Sequence, residues 1–415
     1  MKNNIQNILI SNIYSYKNKG DAAIVMAMLD DIRNQYPNAT LTLSSFDEED
    51  IKRYGNYDVK FNILKYVYKT NDNNFSLLNK IIFFLIRIKI FEMCSKIRLK
   101  PYFLFSNSLS QKIREYADFD LVIAAGGGYL LTRTNGGIFP LLVTTYDFYI
   151  ANFFNKPYIL YNQSIGPFYK KWQFNLLKPS LRKAKKLILR EDISFKRLSE
   201  YNLSNIILSS DIAFNLTSQG NDILNRYSFS EVNVNFGLTV RNWLTEDKQQ
   251  IYESELAKFI ETILSEDDKA FFYFIPQVIY SEMGDDDLVT SRKIFNMLSE
   301  KYKSRVVIID LDPSAEKLKY IVSQMNYFIG TRMHSNIFAL SSLVKTIAIA
   351  YEPKTTGIMK MLKLSDYVIQ MDAVDKDKLY ELFLKLKLDS IYLAGLSDQL
   401  THVKNISRNN LSELL

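Results

Sequence analysis

The stretch GTRMHS, Gly330 to Ser335, puts an arginine and a histidine two residues apart between the apolar runs YFI and IFAL, in a chain with only two histidines. An arginine there offers a rigid, permanently charged fork for a carboxylate or phosphate, and a histidine offers a proton exchangeable near neutral pH. Residues two apart on a regular helix face different ways. Both therefore serve one site only if Arg332 ends the loop and His334 opens the first turn of the helix. A third candidate, Arg241 in FGLTVRNW, closes another apolar run. A charge at the carboxyl end of a buried strand points to a ligand cleft. The second histidine, His402, lies in a polar segment with no strand end beside it and is given no role.

Two glycine-bearing loops join these candidates. In YSYKNKGDAAI, Asn18, Gly20 and Asp21 lead into a helix, with Asp21 read as its N-cap. In AAGGGYLL, Gly126, Gly127 and Gly128 end a buried strand, where glycine admits positive φ and lets an anionic ligand approach the backbone. The run lacks the spaced glycines of the dinucleotide fingerprint and the Lys-Ser/Thr of the P-loop.

Such loops need strands and helices to hold them. Short runs rich in Ile, Val, Leu and Tyr alternate with segments of helical period, the pattern of parallel sheets with crossover helices. Strand candidates are QNILIS, TLTLSS, VKFNIL, DLVIAAG, PYILYNQS, KLILRE and NIILSSD in the first half, and VNFGLTV, AFFYFIPQ, RVVIID, YFIG, TIAIAYE and YVIQM in the second. Between the first two, Val25, Leu29 and Ile32 recur at helical spacing before Pro37 stops the pattern. The polar stretch Leu216 to Asn233 marks a boundary. The expected fold is α/β, with two Rossmann-like doubly wound domains, 1–220 and 221–415, around an interdomain cleft, and with helices ending the second.

The bulk properties agree with a folded chain of about two domains: 415 residues, 47% hydrophobic and 23% charged. A single cysteine, Cys94, forms no internal disulfide and offers no thiolate cage, and the N-terminus MKNNIQNILISNIYS lacks the long apolar core of a signal peptide. A cytoplasmic location is expected. The net charge of +7 is modest for this length. It calls for no nucleic-acid partner but favours anions, either a phosphorylated small molecule or an acidic membrane surface. Leu77 to Phe105 mixes Ile, Phe and Leu with Lys80, Arg87, Lys89, Lys96, Arg98 and Lys100, and Glu92 is its only acid. Its longest uncharged apolar run, IIFFLI, falls far short of the roughly 20 residues a spanning helix needs. Two readings stand: a core helix with a solvated basic edge, or an interfacial helix on anionic lipid, which would make the protein peripheral at the inner face of the plasma membrane.

Taken in order, NKGDAAI, AAGGGYL, NQSIGPF, LREDISFKRL, SSDIAF, LTVRNW, IPQ and GTRMHSNIFAL resemble the polysaccharide pyruvyl transferase family, from the first strand to about Leu364. The resemblance implies a GT-B-like pair of Rossmann-type domains. It also implies transfer of a pyruvyl group from phosphoenolpyruvate onto a sugar as a cyclic ketal, with no cofactor. By resemblance, Arg241 and Arg332 match the family's donor-binding arginines and His334 its catalytic histidine. The donor then belongs to the second domain, and the acceptor, a sugar or lipid-linked oligosaccharide, to the first. Asn18, Gly20, Asp21, Gly126, Gly127, Gly128 and Gln277 of IPQ become candidate substrate-binding residues.

Phosphoenolpyruvate carries a carboxylate and a phosphate, and planar guanidinium groups bind both through paired, charge-assisted hydrogen bonds. A histidine beside them can donate the proton that ketal formation requires at the methylene carbon, or the one that the departing phosphate takes up. A competing reading is a GT-B glycosyltransferase using a nucleotide sugar. It would set Arg332 and Lys354 on a diphosphate and Glu352 on a ribose, which adds Glu352 and Lys354 to the candidate binding residues.

Overall fold

The computed structural model describes residues 5–13, 15–45, 48–55, 57–61, 74–95, 99, 101–132, 139–220, 227, 229–230, 232–280, 285–408 and 411. Part of the strand expected at VKFNIL, part of the boundary stretch Leu216 to Asn233, and Lys96, Arg98 and Lys100 of the basic segment lie outside the described residues. The chain divides into two compact units: Met1–Tyr16 with Ile24–Asp211 and Ser407–Leu415, and Lys17–Ala23 with Ile212–Ile406. The chain therefore changes unit at Asp211 rather than at 220. The NKGDAA loop, counted with the first domain from the sequence, belongs to the second unit.

In the first unit, strands β1 (Asn7–Ile13), β2 (Thr40–Ser45), β3 (Asp58–Phe61), β4 (Leu121–Ala124), β5 (Gly127–Leu130), β6 (Tyr158–Ile165), β7 (Lys186–Leu189) and β8 (Ile206–Leu208) form a parallel sheet. Its order is β3-β2-β1-β4-β6-β7-β8, with β5 also alongside β6. Apolar runs such as Leu121–Ala124 are buried throughout, as a sheet covered on both faces demands. The strand order reverses between β1 and β4, where Ala125 and Gly126 leave β4, while Gly127 and Gly128, expected to end a strand, open β5.

In the second unit, β9 (Val234–Thr239), β10 (Ala270–Phe274), the small antiparallel pair β11 (Ile279–Tyr280) and β12 (Asp285–Asp286), β13 (Val306–Ile308), β14 (Tyr327–Gly330), β15 (Lys345–Ala350) and β16 (Val368–Gln370) follow in sequence. The main sheet runs β13-β10-β9-β14-β15-β16, all parallel. This is the doubly wound order, and its switch point falls between β9 and β14. Those strands pair with Thr239 opposite Gly330. Arg241 and Arg332 each follow two residues later, so both leave the sheet where such folds bind ligands.

The helix expected after β1 spans Lys19–Gln35 and buries Val25, Leu29 and Ile32 as its spacing required. Among the described residues no helix is long and apolar enough to cross a membrane.

Candidate active site

The turn that carries Arg332 and His334 is tied down from three sides. The Thr239 hydroxyl, at the end of β9, accepts from the amides of Thr331 (3.0 Å) and Arg332 (3.4 Å) and lies 2.7 Å from the Ser335 hydroxyl. The Tyr252 phenol, from helix Glu246–Glu266, lies 2.8 Å from the Thr331 hydroxyl. Burial holds that phenol far above its ordinary pKa, so it stays protonated and serves as a brace. Asn336 donates to the Gly330 carbonyl at 3.0 Å, and a methyl on Gly330 would sit 2.8 Å from the Asn336 side-chain carbon. Only glycine fits under this turn.

Arg332 occupies the N-cap position and His334 the first turn of helix Met333–Ser341, the placement that lets both serve one site. The guanidinium meets a partner the sequence did not indicate. Its Nε donates to both carboxylate oxygens of Asp287, at 3.1 and 3.2 Å, and its Nη2 to Oδ1 at 2.5 Å. Both residues are buried, Arg332 at 7% and Asp287 at 1% exposure. Asp287 also accepts the amides of Gln277 (3.0 Å) and Val278 (3.1 Å). Burial pushes its carboxyl above the usual range, and the Arg332 charge opposes that push. Arg332 is therefore fixed in direction by a buried carboxylate, with its Nε–Nη2 edge committed to Asp287.

Arg241 is half-buried and flanked by rings, with its guanidinium carbon 4.4 Å from the Trp243 centroid and 4.6 Å from that of Tyr351. Stacking of this kind fixes the plane of the fork and leaves its N–H edges to in-plane acceptors. Gln249 fastens the loop: its Oε1 accepts from the amides of Trp243 (3.1 Å) and Leu244 (3.3 Å), and its Nε2 donates to the Arg241 carbonyl at 3.1 Å. The same amide donates to Glu253, one turn along its own helix, at 2.8 Å, which fixes the direction of the side chain that holds the loop.

The segment Lys17–Ala23, which opens helix Lys19–Gln35, packs against this turn within the second unit. Asn18, not Asp21, caps the helix: its Oδ1 accepts from the amides of Gly20 (3.0 Å) and Asp21 (3.4 Å), while its Nδ2 donates to Asp21 at 2.8 Å. Asp21 is the acid of the first turn, which favours the helix dipole. The Lys19 amide donates to the Gln277 carbonyl at 3.1 Å, and its buried Nζ pairs with Asp312 at 2.5 Å. Gly20 faces the His334 ring. A methyl there would lie 2.7 Å from Cγ and 3.0 Å from Cβ of His334. The glycine thus lets the histidine ring lie flush against backbone.

The remaining candidates divide. Gln277 is buried with its Nε2 unpartnered among the described residues. Glu352 sits at the N-cap of helix Pro353–Met361, and its carboxylate pairs with Lys354 at 2.6 Å. Gly126, Gly127 and Gly128 belong to the first unit. A methyl on Gly126 would lie 2.7 Å from Ile24 and 2.9 Å from the Tyr161 carbonyl, so this glycine answers to packing. Beside Gly128 stands buried Arg190, at the end of β7. It donates from Nε to the Ser164 hydroxyl at 2.8 Å and pairs through Nη1 with buried Asp211 at 2.9 Å. The stretches NQSIGPF, LREDISFKRL and SSDIAF thereby meet at the carboxyl ends of neighbouring strands.

Residues 18–353 match the description "Polysaccharide pyruvyl transferase". The chain belongs to the polysaccharide pyruvyl transferase family. Its relatives include the amylovoran biosynthesis protein AmsJ of Erwinia amylovora, 25% identical over 381 residues that cover 86% of each chain. Solved structures share the fold at much lower identity. A UDP-N-acetylglucosamine 2-epimerase is 11% identical with a TM-score of 0.63, over 100% of this chain and 96% of that one. The UDP-GlcNAc 2-epimerase of Neisseria meningitidis is 10% identical with a TM-score of 0.61, over 99% and 98%. The protein is thus a transferase by family, and its two parallel α/β units are of the GT-B-like, Rossmann type.

In this member of the family, several buried charged residues in each unit were not singled out from the sequence. Arg190 carried the same signal as Arg241, a charge at the carboxyl end of a buried strand, and Asp211 closes the apolar run NIILSSD. Asp287 is one of three consecutive aspartates, and Lys19 stands in a lysine-bearing polar loop. Nothing local distinguishes either from a solvated side chain.

Proposed function

We propose that this protein transfers the pyruvyl group of phosphoenolpyruvate to two hydroxyls of one sugar in a cell-surface polysaccharide or its lipid-linked precursor. The products are a cyclic ketal and inorganic phosphate, and the reaction takes place in the cytoplasm. The observation that carries the reading is His334 in a first helical turn, against the Gly20 backbone and two residues after Arg332, with Arg332 and Arg241 leaving adjacent strands at a switch point. The family description supports a polysaccharide acceptor. Arg241, with its plane held by Trp243 and Tyr351, binds one anionic end of the donor, and Arg332, aimed by Asp287, binds the other.

In the first step a proton goes to the methylene carbon, and one sugar hydroxyl bonds to C2 while its own proton passes to the medium. In the second, the C2–O bond to phosphate breaks, the other hydroxyl bonds to C2, and its proton leaves with the phosphate or the medium. Atoms and charge balance without a redox partner. His334 supplies the proton at one of these two points. The test is phosphate release from phosphoenolpyruvate with a sugar acceptor, beside calorimetric titration of the same donor. His334→Gln is expected to lower turnover by roughly 10²–10⁴-fold while donor binding survives. Near-normal turnover would remove His334 from the chemistry. Release of UDP from a UDP-sugar in place of phosphate would overturn the reaction in favour of glycosyl transfer.

A further inference from the structure

Helix Asn74–Ser95 has two apolar faces. Ile81, Phe84 and Ile88 are buried in the core of the first unit, where the Phe84 ring lies 6.2 Å from that of Phe105 and 6.4 Å from that of Tyr146. Ile82, Phe83, Ile86, Ile90 and Met93 are exposed, Phe83 at 61% and Met93 at 62%. With 3.6 residues per turn these five make one stripe on the side opposite the buried face. A surface helix ordinarily turns polar residues outward. Here the outward stripe is apolar, and exposed Lys89 and Arg87 border its two edges, with half-buried Lys80 beside Arg87. Glu92 is the one acid in the sequence of the helix. Further along, Leu99 and Phe103 are exposed at 58% and 85%.

We propose that this stripe docks in the plane of an anionic lipid bilayer. Apolar side chains between two cationic edges match acyl chains beneath negative headgroups. A second copy of the chain fits worse, because an isologous contact would bring Arg87 and Lys89 toward their own counterparts. The helix does not span: among the described residues none is long and apolar enough. Its inner face is committed to the core, so only the outer layer of side chains enters the interface. This docking is independent of the reaction proposed above, and its test needs no substrate.

The experiment is co-sedimentation of the full chain with vesicles of phosphatidylcholine alone or mixed equally with phosphatidylglycerol. Retention is expected on the mixed vesicles at low salt, with release as salt rises. Phe83→Ser with Ile90→Ser, and separately Arg87→Gln with Lys89→Gln, should each weaken retention by roughly tenfold or more. Because these positions are exposed, circular dichroism and melting temperature should stay unchanged. Phe103→Ser provides a second apolar change outside the helix. Equal recovery in the supernatant with and without vesicles overturns the proposal, as does retention indifferent to the apolar changes. Loss of a dimer in sedimentation velocity on Phe83→Ser with Ile90→Ser would reassign the stripe to a second copy.

Discussion

Replacing Gly20 with alanine separates two opposing forces that act on one atom. Gly20 lies in the first turn of a helix, where alanine should stabilise by up to about 1 kcal/mol. Its added methyl would sit 2.7 Å from the Cγ of His334. Carbon atoms not bonded to one another prefer about 3.5–4.0 Å, so the ring must retreat by about 1 Å. Overpacking of this size costs about 1–3 kcal/mol. In a His334→Ala background the ring is gone and only the 3.0 Å approach to Cβ is left, so most of the clash is relieved and the helical gain shows. Gly20→Ala should therefore stabilise the His334→Ala protein yet fail to stabilise the parent, with a coupling of about 1–3 kcal/mol. Thermal melts of the four proteins read this at about 2–4 °C per kcal/mol. On the role proposed for His334, displacing its ring by about 1 Å should also lower phosphate release from phosphoenolpyruvate by roughly 10²-fold. Additive melting shifts together with full turnover in Gly20→Ala would refute the contact and the role given to it.

Arg241→Lys keeps the charge but loses both the fork and the flat surface stacked on Trp243 and Tyr351. Calorimetry should show phosphoenolpyruvate affinity reduced by roughly tenfold or more, and unchanged affinity would take Arg241 out of the donor site. Burial, aided by the charge of Lys404, lowers Lys319 from the ordinary lysine value of 10.5 to about 7, while its Nζ donates to the Leu216 carbonyl at 2.7 Å. Between those two values the unfolded chain holds a proton that the folded chain has released, so stability should rise with pH across that window. Lys319→Met should flatten the rise, which denaturant midpoints at about pH 7.5 and 9.5 will measure.

Much of the fold was legible because buried parallel strands are written as apolar runs. VNFGLTV, AFFYFIPQ and YFIG all became strands, and the charges closing two of them marked the switch point of the second sheet. The pair β11/β12 and the strand β5 were not legible, since β11 and β12 are two residues each, too few to show a period, and β5 reads GGYL, without the apolar run that marked the other short strands. Asp21 was read as the cap because acids favour that position, but Asn18 satisfies the free amides with its side chain and leaves Asp21 inside the first turn. The buried pair Arg332–Asp287 joins residues 45 apart in sequence, and such a pairing leaves no local trace.

The segment Lys17–Ala23 is made early in synthesis, yet it completes a unit whose other residues, Ile212–Ile406, emerge from the ribosome nearly two hundred residues later. Domains that fold vectorially close as soon as their chain is available. The second unit cannot do so from its own contiguous stretch. A fragment covering only 212–406 would lack Asn18, Lys19 and Gly20, and with them the surface against which the His334 ring rests. A peptide carrying the missing segment should restore that surface when supplied in trans, so His334 can report on assembly of a split chain.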